Sequence, residues 1–308
     1  MKIALMFSGQ GSQYPNMGID LISSKEASTY IKEAESILEF NVIDALTNKN
    51  SELNETLYVQ PLMVLYEILL FKKIKNVLNV EGLIGFSLGE ISALYAAGIY
   101  DFNSIIKIVK KRAEAMNSAA LTSPGKMLAV IDCEMEIINS VCQEVSKTNV
   151  LVVANYNSKK QVVLSGDDEG ISKGQNLLKS LGARKVIQLN VSGAFHSPLM
   201  KSAEIELFSF LENFKKGSIK IPFYMNATSQ RLNLDDLEKL IAKQLTSPVY
   251  FYQSIEQMIK DGFDTFIEVG PGNVLSKLVS KNYSNIKTYC VGNEEDLRKL
   301  KEEILDVK

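Results

Sequence analysis

Apolar and polar positions along the chain follow two rhythms, short continuous apolar runs and helical spacings. Lys2–Phe7 is an apolar run that stops at a Gly-rich turn, Gly9-Gln10-Gly11-Ser12, and predicts a buried first strand. Helical spacing follows over Lys25–Leu38 and over Val59–Val77, the latter with Leu62, Leu65, Ile68 and Leu69 on one face. Gly82–Gly85 is a second short apolar strand. Leu88–Ala97 and Phe102–Ser118 then read as helices, with Asp101 as the N-cap of the second.

The middle of the chain has its own order. Lys126–Ile131 predicts a strand, Glu134–Val145 a helix and Val150–Tyr156 a strand. After the turn Asn157-Ser158-Lys159-Lys160 come a strand at Gln161–Gly166, a helix at Asp167–Leu181 and a strand at Arg184–Val191. That succession, β-α-β-β-α-β, is the ferredoxin-like unit. Thr122-Ser123-Pro124-Gly125 and Ser192-Gly193 flank it, so it reads as a small subdomain, 124–191, inserted into a larger one made of 1–123 and 192–308. The larger part resumes with a helix at Pro198–Lys215 and helices near Leu234–Leu245 and Tyr250–Asp261. A strand at Thr265–Val269, the turn Gly270-Pro271-Gly272, a short helix, a strand at Lys287–Val291 and a last helix complete it. The expected fold is α/β, a hydrolase-like core with a mostly parallel sheet and the inserted subdomain.

Composition narrows the function. The chain has 308 residues, 46% hydrophobic and 23% charged, which suits a globular protein with a sizeable core. A net charge of −2 gives no excess of cations to follow a phosphate backbone, so no nucleic-acid partner is expected. The N-terminal apolar run is too short to span a membrane and has no cleavage pattern, so no membrane association is expected. Cys133, Cys142 and Cys290 lie far apart without ligand spacing. No disulfide framework or metal site is expected, and free thiols suit the cytoplasm.

Gly85-Phe86-Ser87-Leu88-Gly89 fits G-x-S-x-G between a predicted strand and a predicted helix. The pattern alone is weak; the context makes it a nucleophile elbow, with Ser87 held in a strained turn. The N–H of Leu88 opens a helix and faces developing negative charge. His196 is the only histidine, in a loop where the inserted segment rejoins the main chain, and is the only imidazole available to activate a serine. The Gly9–Gly11 turn lacks the Lys-Ser/Thr of a phosphate loop and the spacing of a dinucleotide fingerprint. It is either a plain tight turn or the source of a second oxyanion N–H, from Gln10. Arg112, by itself, reads as the solvated face of a helix, yet it borders the stripe Ile106, Val109 and Met116. From there it could grip a carboxylate bidentately.

Together these segments resemble the malonyl-CoA:acyl carrier protein transacylase family. The matching blocks are FSGQGSQ at 7–13, QPLMV at 60–64, GFSLGEISALYAAG at 85–98 and VKKRAEAM at 109–116. ANYNSKKQVVLSG at 154–166, VSGAFHSPLM at 191–200, QLTSPV at 244–249 and EVGPGNVL at 268–275 follow in family order. The resemblance implies Ser87 as nucleophile, His196 as its base and the main-chain carbonyl of Gln244 as the group orienting the histidine. It implies the N–H groups of Gln10 and Leu88 as the oxyanion hole and Arg112 as the partner of the malonate carboxylate. The Ala194-Phe195-His196 run resembles the malonyl-selective form of its loop. The implied reaction is ping-pong transfer of malonyl from malonyl-CoA to the phosphopantetheine thiol of acyl carrier protein in fatty-acid synthesis. No cofactor and no metal are implied, and a monomer is. An acidic carrier needs a basic patch, for which Lys107, Lys110, Lys111, Lys159, Lys160, Arg184 and Lys185 are candidates.

Two positions depart from the family. Phe86 stands where histidine is usual, which leaves the base in place but alters packing behind the nucleophile. Ser8 stands where proline is commoner and is expected to loosen the first turn slightly. Three rival readings remain. A serine thioesterase or esterase would take its acid from Asp101, Asp132, Asp167 or Asp168, between Ser87 and His196. A free-standing acyltransferase that loads a polyketide synthase would share nearly every motif. A non-catalytic acyl-CoA-binding module would not need the intact serine, histidine and arginine.

Overall fold

A computed structural model describes residues 1–305. Among these described residues nine strands form two sheets. They are β1 (Ile3–Phe7), β2 (Gly82–Gly85), β3 (Lys126–Ile131), β4 (Leu151–Ser158), β5 (Gln161–Gly166), β6 (Lys185–Gln188), β7 (Phe223–Tyr224), β8 (Thr265–Val269) and β9 (Lys287–Val291).

The first sheet has the order β7-β2-β1-β8-β9, and every pairing in it is parallel. Its central strand β1 is buried at all five positions, which is why it reads as a continuous apolar run. Phe7 is in register with Gly85 on one side and Val269 on the other. The three strands therefore end level, and the loops after them converge at one edge, where open parallel sheets bind ligands. The helix Thr56–Ile74 is apolar on nearly every side, and the core covers it on all of them.

The second sheet has the order β4-β5-β3-β6 and is antiparallel throughout. One face packs Leu128, Val130, Leu151 and Leu164 against Ile138, Val141, Ile171 and Leu178 of the helices Met135–Val145 and Asp168–Ser180. Main-chain bonds from Tyr156 N to Val249 O (2.9 Å) and from Val249 N to Ala154 O (2.8 Å) tie this sheet to the rest of the chain.

Several element boundaries differ from the sequence reading for identifiable reasons. The strand expected over Arg184–Val191 is shorter, Lys185–Gln188; Leu189 N still donates to Met127 O at 2.9 Å, and the pairing with β3 goes no further. The helix expected over Pro198–Lys215 is a 3-10 turn, Pro198–Met200, followed by a helix that stops at Leu211. The two-residue strand β7 is too short to leave a periodic signal. Asp101 caps the helix Phe102–Thr122 as expected, its side chain accepting from Ser104 N at 2.8 Å. Among the described residues no helix is long and apolar enough to cross a membrane.

Candidate active site

The elbow is built by close approach. A Cβ on Gly85 would lie 2.0 Å from the carbonyl carbon of Gly89, and one on Gly89 would lie 2.2 Å from the oxygen of Phe7. Both positions therefore exclude any side chain. Between them Ser87 sits at φ 51°, in the left-handed region that a β-carbon disfavours by roughly 1–2 kcal/mol. Asn226, just after β7, holds the turn. Its Oδ1 accepts from Ser87 N (2.7 Å) and its Nδ2 donates to Gly85 O (2.6 Å). Its own N–H donates to the buried Glu90 carboxylate at 2.8 Å.

Ser87 Oγ lies 2.7 Å from Nε2 of His196, whose Nδ1 lies 2.9 Å from the main-chain oxygen of Gln244. A carbonyl can only accept, so Nδ1 carries the proton and Nε2 is left to accept from the serine hydroxyl. The ring is 3% exposed. Burial pushes its pKa down to about 4, outweighing the carbonyl of Gln244, and the nearby Arg112 charge lowers it further. The imidazole is thus neutral at physiological pH and able to take a proton. Among the described residues no carboxylate takes the place of the Gln244 carbonyl. Asp101 and Asp167 cap helices, Asp168 pairs with Lys126 and Asp132 faces Lys160. The serine-aspartate-histidine order of a hydrolase is absent from these positions.

Arg112 is 1% exposed, so the solvated-face reading of this helix position is overturned. The helix Phe102–Thr122 packs against Thr56–Ile74, and its stripe edge points inward. Arg112 donates to Gln60 Oε1 (2.7 Å) and to Gln244 Oε1 (2.9 Å), and lies 3.4 Å from Ser87 Oγ. Its Nε has no partner among the described residues. Burial lowers its pKa to about 10, with Glu90 as the charge opposing that shift. Glu90 is itself pushed up to about 7 by burial. A guanidinium held by neutral amide oxygens, without a carboxylate bonded to it, is a ready receptor for an anionic group.

Gln10, Ser87, Leu88, Arg112 and His196 line one cavity of about 260 Å³; Gln244 stands behind it. The N–H groups of Gln10 and Leu88 are donated to no acceptor among the described residues. Phe86 also lines the cavity, its ring edge-to-face with Phe251 at 5.4 Å. Ser8 does not loosen the first turn. Its N–H donates to Val269 O (3.1 Å), a bond that proline lacks the proton to make, and its Oγ donates to Glu268 at 3.3 Å. Of the candidate basic residues, Lys110 pairs with Glu39 and Lys111 with Glu206 on the Phe102–Thr122 helix. Lys159, Lys160, Arg184 and Lys185 share one end of the second sheet, where Ile131 is in register with both Gln161 and Lys185.

Sequence reasoning missed Asn226, Gln60, Glu90 and the second role of Gln244, whose side chain bonds Arg112 and also donates to Ser87 O at 2.9 Å. Gln60 and Gln244 stood inside noted blocks, but nothing in their spacing marks a polar side chain in the core. Asn226 follows a strand that periodicity cannot reveal.

A family model described as the acyl transferase domain matches residues 5–300. The chain is 36% identical to the malonyl CoA-acyl carrier protein transacylase of Staphylococcus aureus (strain COL), covering 96% of this chain and 97% of that one. The crystal structure of the corresponding Streptococcus pneumoniae protein superposes with a TM-score of 0.93 at 32% identity, covering 98% of this chain and all (100%) of the other. A malonyl-transacylase solved in complex with its type II polyketide acyl-carrier protein gives a TM-score of 0.93 at 28% identity, covering 98% and 100% of the two chains. With the glycine-framed serine, its histidine and the buried arginine gathered in one cavity, the chain is an acyltransferase and belongs to the acyl transferase family.

Proposed function

We propose that this protein transfers the malonyl group from malonyl-CoA to the phosphopantetheine thiol of acyl carrier protein, in the cytoplasm and for fatty-acid synthesis. The observation that carries the reading is the buried Arg112 guanidinium 3.4 Å from Ser87 Oγ. A cation there favours an acyl group that ends in a carboxylate.

The chemistry follows from the geometry. Ser87 Oγ attacks the thioester carbonyl while His196 Nε2 takes its proton. The tetrahedral oxyanion is received by the N–H groups of Gln10 and Leu88, each such donor being worth about 2.7–4 kcal/mol. Coenzyme A leaves as a thiol with the proton from His196, and Ser87 carries the malonyl ester. The carrier's thiol then attacks and the steps run in reverse. Arg112 holds the malonyl carboxylate and so keeps the ester carbonyl on the oxyanion donors. An acetyl group would leave the guanidinium without its anion, which is the basis of selectivity. These residues supply every step, and the reading needs no metal or cofactor.

The division of labour between the sheets is part of the proposal. The parallel sheet, with residues 1–123 and 192–308, is a hydrolase-like core that carries the elbow and the base. Residues 124–191 are a ferredoxin-like insert whose sheet roofs the cavity through Met127, Ala129, Asn155 and Val163. Lys159, Lys160, Arg184 and Lys185 lie at the end of that sheet next to Gln161, itself a cavity residue, and supply the basic surface for an acidic carrier. The site is complete within one chain, so the reading calls for no second copy, and a monomer is the proposed working unit.

The test is a transfer assay with malonyl-CoA and the holo-acyl carrier protein of fatty-acid synthesis. Malonyl-carrier formed at the rate of coenzyme A release supports the reading. Free malonate at that rate would mean a hydrolase, and transfer only to a polyketide carrier would move the enzyme to that pathway.

A further inference from the structure

Beneath the turn that carries Gln10, two carboxyl groups share one hydroxyl. Glu67, on the helix Thr56–Ile74, and Glu268, on β8, are both 0% exposed. Ser8, the residue that joins β1 to the turn, donates from Oγ to Glu268 Oε1 at 3.3 Å. Glu67 reaches the same small space. A Cβ on Gly270 would lie 2.7 Å from Ser8 Oγ and 2.8 Å from Glu67 Oε1.

The hydrogens in this space can be counted. Ser92 Oγ donates to Glu67 Oε2 at 2.5 Å, and Ser276 N donates to Glu268 Oε2 at 2.8 Å. The one hydrogen of the Ser8 hydroxyl goes to Glu268. Glu67 Oε1 is left without a partner among the described residues. The charge that acts on Glu67 is that of Glu268, and it is repulsive. Of the elements packed on its helix, Phe102–Thr122 brings Arg112, which is spent on Gln60 and Gln244. Ile19–Ile22, Val42–Thr47 and Glu52–Asn54 bring Asp20, Asp44 and Glu52, none of them buried. An ionised Glu67 would thus be a buried charge with one oxygen unmet, beside a second carboxylate, and in such a pair one carboxyl keeps its proton. Burial, reinforced by Glu268, pushes the Glu67 carboxyl well above the usual carboxylate range.

We propose that Glu67 is held as the neutral acid and is a positioning residue, its proton directed to Ser8 Oγ and the Ser8 hydrogen to Glu268, so that the chain fixes the turn from which Gln10 offers its N–H. This rests on the reading of Gln10 as an oxyanion donor. One proton completes the count, because a protonated carboxyl gains a donor and a hydroxyl can accept while it donates. Glu67 touches no reacting atom. It acts through Ser8, two residues before Gln10.

The experiment compares the full chain with Glu67→Gln, whose amide has a donor and an acceptor as the neutral acid does, and with Glu67→Leu, which has neither. Infrared difference spectra, wild type minus Glu67→Gln, should contain the carbonyl band of a protonated carboxylic acid. Carboxylate bands in its place would overturn the proposal. In malonyl transfer, Glu67→Gln should keep kcat within about twofold, and Glu67→Leu should lose at least about tenfold in kcat with KM unchanged, since the oxyanion donors act in the transition state. Equal losses of kcat in the two variants, or a Glu67→Leu enzyme with undiminished kcat, would also overturn it. Should Glu67→Leu fail to fold, Ser8→Ala removes the linking hydroxyl instead and should lower kcat severalfold at unchanged KM; full kcat there would overturn the link. A wild type that takes no malonyl from malonyl-CoA would defeat the functional reading and with it the role in positioning, while the spectrum still decides the proton on Glu67, so the two failures are told apart.

Discussion

Arg112 and His196 are held by the same residue. The side-chain oxygen of Gln244 accepts from the Arg112 guanidinium at 2.9 Å, while its main-chain oxygen accepts from Nδ1 of His196 at 2.9 Å. One 3-10 turn, Gln244–Thr246, thus sets both the proposed base and the proposed carboxylate receptor. A substitution removes the side chain, with its bonds to Arg112 and to Ser87 O, and keeps the carbonyl that meets His196. Gln244→Ala should weaken malonyl-CoA binding, raising KM roughly tenfold for the loss of about 1.5 kcal/mol from a charged hydrogen bond. Its acid pH limit should stay where it was. Steady-state kinetics across pH would show the split; a displaced limit with unchanged KM would assign Gln244 to the histidine alone.

Arg112→Ala should lower malonyl transfer by about 100-fold, since a buried charge-assisted pair is worth about 2–5 kcal/mol when one partner is removed. Acetyl transfer should fall much less. Because the Arg112 charge also lowers the His196 pKa, the acid limit of activity in this variant should move upward. Equal losses for both acyl groups, measured side by side, would make Arg112 a structural residue.

The pH dependence of the native enzyme follows from His196. With its pKa held at about 4, kcat/KM for acylation should keep its value through pH 6 and decline near 4 rather than near 6.5. Stability responds in the same window. The unfolded histidine takes a proton below pH 6.5 and the native one only near 4, so this group's contribution is full above 6.5 and is lost as pH falls toward 4. Glu90, raised to about 7, acts the other way, its contribution fading as pH rises from 4.5 to 7. The two slopes oppose each other between pH 4.5 and 6.5. Urea unfolding of the wild type and of His196→Gln should therefore diverge with pH, the wild type gaining relative to the variant up to 6.5. A constant difference would mean that His196 titrates normally in the fold.

Asn226→Ala tests the clamp behind the proposed nucleophile. It strands the N–H of Ser87 and the carbonyl of Gly85 in a buried turn, each worth about 1–3 kcal/mol. A loss of stability of that order together with a fall in kcat is expected, and Asn226→Asp should recover part of the rate because its carboxylate still accepts from Ser87 N. A variant with full kcat would show that the turn holds itself.

The sequence carried Ser87 and His196 openly, for different reasons. The elbow is written in two glycines that the crossing of β1, β2 and a helix requires, and the proposed base is the only imidazole in the chain. The strands β1, β2 and β8 of the parallel sheet were legible because they are buried on both faces. What stayed hidden is polarity inside the core. Gln60 and Glu90 occupy helix positions where periodicity reports only which side is apolar, and the burial of Arg112 came only with the fold. Asn226 acts through a loop whose preceding strand pairs at two residues, Phe223 and Tyr224. Ser8 was misread because the bond from its N–H to Val269 exists only between strand ends that are distant in sequence.

The central claim is a malonyl ester on Ser87, and intact-protein mass after brief mixing with malonyl-CoA tests it most directly. One malonyl increment per chain, absent in Ser87→Ala and discharged by holo-acyl carrier protein, is the predicted result. An increment that persists in Ser87→Ala, or free malonate released with no increment at any time, would contradict the account.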